Sequence, residues 1–230
     1  MKKYGLIGKN ISHSKSPEVY KNLIHENFQY DLLDISDEKE LPSLLSLMTT
    51  YSGINITAPY KKSYFNQVEL TAHAKKVGAI NCLGFKNGKT FGTNTDYLAF
   101  INLFQQKTKN KSAEIIVLGS GAMARMVELA LDELGMTHRT ISRNTHGPLE
   151  KFDFKFLETQ IGRPVFYVNC CAREFIFLSN LVDPQSFFWD MNYSNPKQSQ
   201  FFQNTPEQFE DGLSLLIEQA RFAVEFWSTI

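Results

Sequence analysis

Glu114-Ile115-Ile116-Val117-Leu118-Gly119-Ser120-Gly121-Ala122-Met123-Ala124 is the stretch whose reading decides the fold of this 230-residue chain. Glu114 to Leu118 is a short, almost wholly apolar run, the pattern of a strand buried on both faces. It passes directly into Gly119-Ser120-Gly121. A helical pattern then runs to Leu134, with Gly135 placed to end it. A G-x-G-x-x-A turn between a strand and a helix lets the backbone approach a pyrophosphate, which the helix N-terminus holds electrostatically. Thr137 to Ile141 reads as the next strand. Sites for NAD usually carry an Asp or Glu at the end of that strand, for the ribose 2′-hydroxyl. Here the end is Ser142-Arg143-Asn144, with no carboxylate. Arg143 can pair instead with a 2′-phosphate, which favours NADP; the plainer reading is a solvated loop arginine.

The same alternation extends in both directions. Downstream, Val165 to Asn169 and Phe187 to Met191 are two more strands. Leu213 to Trp227 is a helix with Leu215, Leu216, Ala220, Ala223, Val224 and Trp227 for burial and Gln219 beside that face. Upstream, Lys107 to Ser112 is polar and is a candidate linker. Before it, Tyr4 to Gly8 and Tyr30 to Ile35 read as strands, and Leu41 to Met48, Val68 to Lys76 and Tyr97 to Gln106 as helical segments. Asn87-Gly88, between Gly78–Phe85 and Thr90–Asn94, is a strong hairpin signal. Strand and helix in turn give an α/β fold class. Ser16 is placed to N-cap a helix whose first position is Pro17. Ser14 is then left near a strand end, where its hydroxyl could bind a polar ligand; alternatively, both serines only cap.

Gly53-Ile54-Asn55-Ile56-Thr57-Ala58-Pro59-Tyr60-Lys61-Lys62 is a short strand ended by a Pro turn. Proline cannot donate to a ladder, so Lys61 and Lys62 project from the end of a sheet, where open α/β sheets bind ligands. A lysine held there is a positive clamp or, if partly desolvated, a proton-transfer group. Two solvated lysines on a surface turn is the plainer alternative.

Composition narrows the function classes. Lys plus Arg and Asp plus Glu both number 24, so no broad nucleic-acid or membrane surface is indicated. No apolar run approaches the roughly 18 residues that cross a bilayer. The N-terminus leads into a strand pattern rather than a secretory segment, so a cytoplasmic protein is expected. Cys82, Cys170 and Cys171 are odd in number and lack C-x-x-C spacing. All three are read as reduced, buried thiols, and no metal site is expected.

His13-Ser14-Lys15-Ser16-Pro17, Gly53 to Lys61, Gly78-Ala79-Ile80-Asn81 and Asn94-Thr95-Asp96 occur in that order. The Gly119 turn, Asp190-Met191-Asn192-Tyr193-Ser194-Asn195-Pro196 and Asp211-Gly212-Leu213 through Gln219-Ala220 follow. Jointly, over almost the whole chain, they resemble the shikimate dehydrogenase family. The resemblance implies two domains. One is a mainly parallel α/β substrate domain, residues 1–96 with 206–230 returning to it. The other is a Rossmann-like NADP-binding domain, residues 97–205, with the active site in the cleft between them. It implies an oxidoreductase of aromatic amino-acid biosynthesis that interconverts 3-dehydroshikimate and shikimate with NADP.

By the same resemblance, Lys61 and Asp96 are the catalytic pair. Ser14, Ser16 and Tyr193 bind the substrate carboxylate, and Thr57, Asn81 and Gln219 contact ring hydroxyls or order the site. Gly119, Ser120, Gly121, Ala122, Met123, Ala124, Ser142, Arg143 and Gly212 bind the cofactor. The expected partner is the small-molecule substrate, with neither nucleic acid nor membrane, and the expected state is a monomer or homodimer.

The chain departs from the family pattern in several places. Ala122 stands where a third glycine is usual, and no second arginine follows Arg143 nearby. Asn169-Cys170-Cys171-Ala172-Arg173 replaces an Asn-Ala-Thr stretch. The segment from Pro196 to Asp211 is short, and the sequence stops at Ile230, where family members usually continue for another helix. These departures keep open use of NAD, use of quinate, or a paralogue that binds a shikimate-like acid without turning it over.

Overall fold

A computed structural model describes residues 1–109 and 112–230. The chain divides into two units, Met1–Ala99 with Leu216–Ile230, and Phe100–Leu215, so both divisions fall inside helices.

The first unit contains β1 (Lys2–Gly8), α1 (Ser16–Leu23), β2 (Phe28–Asp34), α2 (Leu44–Thr50), β3 (Gly53–Ile56), β4 (Glu69–Leu70) and α3 (Ala72–Val77). β5 (Cys82–Lys86), β6 (Lys89–Thr93) and the start of α4 (Thr95–Thr108) follow. Its sheet has the order β2-β1-β3-β5-β6-β4. β1 runs parallel to both β2 and β3, β5 is antiparallel to β3 and β6, and β4 is parallel to β6. The hairpin turns on Asn87 and Gly88, whose φ values of 51° and 72° are those a type I′ turn requires.

Capping chemistry moves several boundaries from where periodicity alone puts them. Val68 to Lys76 is not one helix: Glu69 and Leu70 pair with Phe91 and Gly92 as an edge strand. The helix starts at Ala72, where the Thr71 hydroxyl accepts the Ala74 N–H at 3.3 Å. The helix expected from Leu41 starts at Leu44, because the Ser43 hydroxyl accepts the Ser46 N–H at 3.2 Å. Ser16 is the first residue of α1 rather than its cap; Lys15 takes the cap position without a side-chain bond. The Ser14 hydroxyl accepts the Ser16 N–H at 3.2 Å, so Ser14 rather than Ser16 satisfies a donor at the start of α1.

From Leu216 onward, α9 (Leu213–Thr229) belongs to this unit and packs on its sheet. Two strand glycines make that approach possible. A Cβ on Gly53 would strike the Trp227 indole, and one on Gly84 would strike Ile230. Trp227 Nε1 donates to the Leu83 carbonyl at 2.9 Å, and its ring stacks on Tyr4 with centroids 4.6 Å apart. Ala220 and Ala223 are buried with Val19, Tyr20, Ile24 and Cys82 beneath the same helix.

The second unit holds the rest of α4, β7 (Glu114–Leu118), α5 (Ala122–Glu133), β8 (His138–Ile141), α6 (Arg143–His146), α7 (Phe154–Ile161), β9 (Val165–Asn169), β10 (Phe187–Asp190), α8 (Pro196–Phe201) and β11 (Phe209–Glu210). Its sheet, β11-β10-β9-β7-β8, is parallel throughout. This is a doubly wound sheet of Rossmann type, with β7 an interior strand between β9 and β8 and buried at every residue. Phe154, Tyr167, Phe177, Phe188 and Phe202 form an aromatic core on one side of it.

The polar stretch from Lys107 is not simply a linker. Lys107 and Thr108 are the last turn of α4, and Lys107 pairs with Glu210 and lies 4.9 Å from the Trp189 ring centroid. Asn110 and Lys111, also in that expected linker, lie outside the described residues. Cys82 and Cys170 are buried free thiols, whereas Cys171 is only partly buried. Among the described residues, no helix is long and apolar enough to cross a membrane.

Candidate active site

At the end of β3 the chain turns through Thr57 to Pro59, and Lys61 follows. The turn is fixed by backbone bonds at both ends: Thr57 N–H donates to Ile7 O at 2.8 Å, and Ile80 N–H donates to Lys61 O at 2.9 Å. Lys61 Nζ lies 2.7 Å from Asp96 Oδ2, with side chains 29% and 14% exposed. The pair is shielded enough for a charge-assisted hydrogen bond to hold its geometry, yet Lys61 is still reachable by a ligand. Lys62 is exposed. Asp96 is placed by α4, whose N-terminus is capped by the Asn94 side chain accepting the Tyr97 N–H at 3.0 Å.

Beside this pair three buried polar side chains satisfy one another. Asn81 Nδ2 donates to Thr95 Oγ1 at 2.9 Å, and Asn81 Oδ1 accepts the Thr95 N–H at 2.7 Å. Thr95 Oγ1 lies 3.2 Å from Gln219 Oε1, and Gln219 Nε2 donates to Leu216 O at 3.0 Å. The hairpin, α4 and α9 are thereby tied together next to Lys61–Asp96. Thr95, which joins Asn81 to Gln219, is a member of this candidate site that sequence reasoning missed. Its signal was its place between Asn94 and Asp96.

Ser14 and Ser16 are linked through their hydroxyls at 3.1 Å. Ser16 is buried and approaches the Tyr30 phenol, which burial holds well above its ordinary pKa, so that it remains a donor. Tyr30 Oη donates to Asn55 Oδ1 at 2.9 Å, and among the described residues the buried Asn55 Nδ2 has no hydrogen-bond partner within normal reach. Asn55, on β3 opposite Cys82, was likewise not singled out in the sequence. The structure thus links Lys61 to Asp96, Asn81 to Gln219 through Thr95 and by a long 3.5 Å bond of its own, and Ser14 to Ser16. Thr57 sits half-exposed at the start of the lysine turn.

In the second unit, a cavity of about 470 Å³ is lined by residues that follow β7, β8 and β9. Gly119, Ser120 and Gly121 form one wall, Arg143 and Asn144 another, and Cys170, Cys171 and Ala172 a third. Gly119 has a φ of 104°, and a Cβ there would lie 3.1 Å from the Cys170 carbonyl carbon and oxygen. Only glycine fits that close approach of two loops. Gly121 caps α5 without a side-chain bond, and the N-terminus of this 12-residue helix is suited to a phosphate. Ala122 is exposed as the first residue of α5, where its methyl is accommodated; Met123 is half-buried and Ala124 fully buried. Ser142 is the buried N-cap residue of α6, next to the exposed Arg143. Asn144 Nδ2 donates to Ser120 Oγ at 3.2 Å and joins the first two walls. A glycine turn on a helix N-terminus with an arginine at the next strand end fits a dinucleotide that carries a further phosphate.

The third wall is fixed by one buried carboxylate. Asp190 Oδ1 accepts Asn169 Nδ2 at 3.0 Å and both the backbone N–H and Nδ2 of Asn192 at 2.9 Å. Asn169 Oδ1 in turn accepts the Cys171 N–H, and Asn192 Nδ2 donates to Cys171 O, each at 3.1 Å. Burial raises the Asp190 carboxyl above its ordinary range, against those three donors. Tyr193 follows in the same turn, where Asp211 accepts the Ser194 N–H at 3.0 Å. Gly212 is buried; a Cβ on it would strike the Met191 carbonyl, and its N–H donates to Asn192 O at 3.0 Å.

Comparison with known proteins agrees with both units. Residues 6–83 match the shikimate dehydrogenase substrate binding domain. A shikimate dehydrogenase (NADP(+)) of Clostridium botulinum is 30% identical over 97% of this chain and 95% of its own length. The crystal structure of shikimate dehydrogenase from Aquifex aeolicus shares the fold, with a TM-score of 0.81 at 24% identity, covering 100% of this chain and 93% of that one. The Thermus thermophilus enzyme, solved in complex with NADP(H) and shikimate, does so with a TM-score of 0.77 at 21% identity, covering 100% and 94%. A likeness that runs through the substrate-side unit and the doubly wound unit alike means that the chain belongs to the shikimate dehydrogenase family.

Proposed function

We propose that this protein is an NADP-dependent shikimate dehydrogenase that reversibly reduces 3-dehydroshikimate to shikimate. The observation that carries the proposal is the 2.7 Å Lys61–Asp96 pair beside the satisfied Asn81–Thr95–Gln219 cluster. A secondary alcohol loses hydride from carbon only if its hydroxyl proton is also removed, and the reverse reaction must protonate the developing alkoxide. Lys61 donates to the reacting C3 oxygen and exchanges that proton, and Asp96 orients the amine. Thr57, Asn81 and Gln219 contact the ring hydroxyls or order the site, and Ser14 and Ser16 donate to the carboxylate. NADP, when bound, accepts the hydride in one direction and supplies it in the other. Gly119 to Ala124 hold its pyrophosphate, and Arg143 pairs with its 2′-phosphate.

The reading makes the protein a cytoplasmic enzyme of aromatic amino-acid biosynthesis, working as a monomer or homodimer. Its three free cysteines suit a reducing compartment. The test is to mix purified protein with shikimate and NADP⁺ and follow NADPH absorbance. Steady reduction is expected. No reduction, with shikimate still raising Tm, would make it a binding protein instead.

A further inference from the structure

The nucleotide cavity carries charges of both signs. Arg143 lines it, but so do Glu150 and Glu174, leaving one cation against two carboxylates. Glu150 lies in the short 3-10 turn Leu149–Lys151, seven residues past Arg143 on the segment that leaves β8. Leu149 is buried and anchors that turn, whereas Glu150 is exposed to the cavity. Among the described residues, Glu150 takes part in no ion pair that would neutralise it. Its charge and that of Arg143 are both felt at one point, the Cys171 thiol. That thiol is pushed up to about 12 by burial first and then by Asp190 and Glu150, while Arg143 pulls it down. The two opposite charges therefore act on the same wall of the cavity.

We infer that Glu150 is a specificity-determining residue: its carboxylate opposes a phosphate on the adenosine ribose and offsets part of the preference for NADP that Arg143 supplies. The inference rests on the proposed cofactor site. Everything in the cavity that holds the pyrophosphate, from Gly119 to the N-terminus of α5, is common to NAD and NADP. Discrimination falls to the charges facing the ribose edge at the end of β8. An added near-dianion interacts with Arg143 and Glu150 in opposite senses, and with a neutral 2′-hydroxyl neither term arises.

The experiment is calorimetric titration of the full-length protein with adenosine 2′,5′-bisphosphate and with adenosine 5′-monophosphate, for wild type, Glu150→Gln and Glu150→Lys. These two ligands differ only in the 2′-phosphate. Glu150→Gln is expected to tighten the bisphosphate about three- to tenfold, the scale of one partly screened charge, and to leave the monophosphate unchanged. Glu150→Lys should tighten it further, and high salt should shrink both gains. The kcat/KM ratio for NADP⁺ over NAD⁺ should rise in the same order. Equal changes for both ligands, or none, would overturn the role of Glu150 while leaving the cofactor site in place. Failure of wild type to bind either nucleotide would overturn the site and the role together.

Discussion

Lys61 and Lys62 are neighbours with different fates: one is ion-paired with Asp96, the other exposed. Periodicity alone could not separate them, because Asp96 lies 35 residues further on and is brought back only by the hairpin between them. Thr95 was overlooked for a related reason. A threonine at a helix start has ordinary capping explanations, and its bonds to Asn81 and Gln219 span residues far apart in the chain. Thr95→Val should leave buried amide groups unpaired. A loss of about 1–3 kcal/mol in unfolding free energy is expected, with a clear fall in kcat/KM for shikimate, measured by chemical denaturation and steady-state kinetics. Arg143→Ala should weaken NADP⁺ several-fold in kcat/KM and hardly change NAD⁺. Equal loss with both would remove Arg143 from the 2′-phosphate.

At the scale of elements, the turn after β7 was the most legible part of the chain. A buried strand, two glycines and a helix admit few structures, and β7 and α5 fall where the pattern puts them. Gly119→Ala tests why the glycine is needed. With φ at 104° and the Cys170 backbone 3.1 Å from the added methyl, the β7 and β9 loops must separate. A stability loss of about 1–3 kcal/mol is expected from the backbone strain alone, together with a raised KM for NADP⁺. Unchanged affinity for the cofactor would contradict the phosphate role of the turn. The elements misread in sequence were those that hydroxyl caps cut short. Helical spacing begins at Val68 and at Leu41, but the local hydrogen bonds of Thr71 and Ser43 cap each helix further on, so that they start only at Ala72 and Leu44.

For the molecule as a whole, stability against acid can be traced to a particular carboxylate. Glu114, at the start of β7, has a 10% exposed side chain; burial raises its pKa, but ion pairs with Arg139 and Arg163 outweigh this and leave it lowered. A depressed folded-state pKa stabilises fully above the unfolded value of about 4.3 and is lost as pH falls through the folded one. Glu114→Gln should therefore lower Tm at pH 7, and the difference from wild type should shrink as pH drops below about 4. Both sheets were legible as alternating strands and helices. The packing of α9 on Gly53 and Gly84 was not, since bare glycines in strands do not announce which side chain will cover them. The site was legible as a set of motifs, while its hydrogen bonds depended on tertiary contacts that spacing does not encode. The central claim is that Lys61 carries the proton at the reacting oxygen, and the most direct measurement is the turnover of Lys61→Ala with shikimate and NADP⁺. The account predicts a kcat lower by roughly 10²–10⁴-fold with Tm close to wild type; near-normal turnover in a folded variant would contradict it.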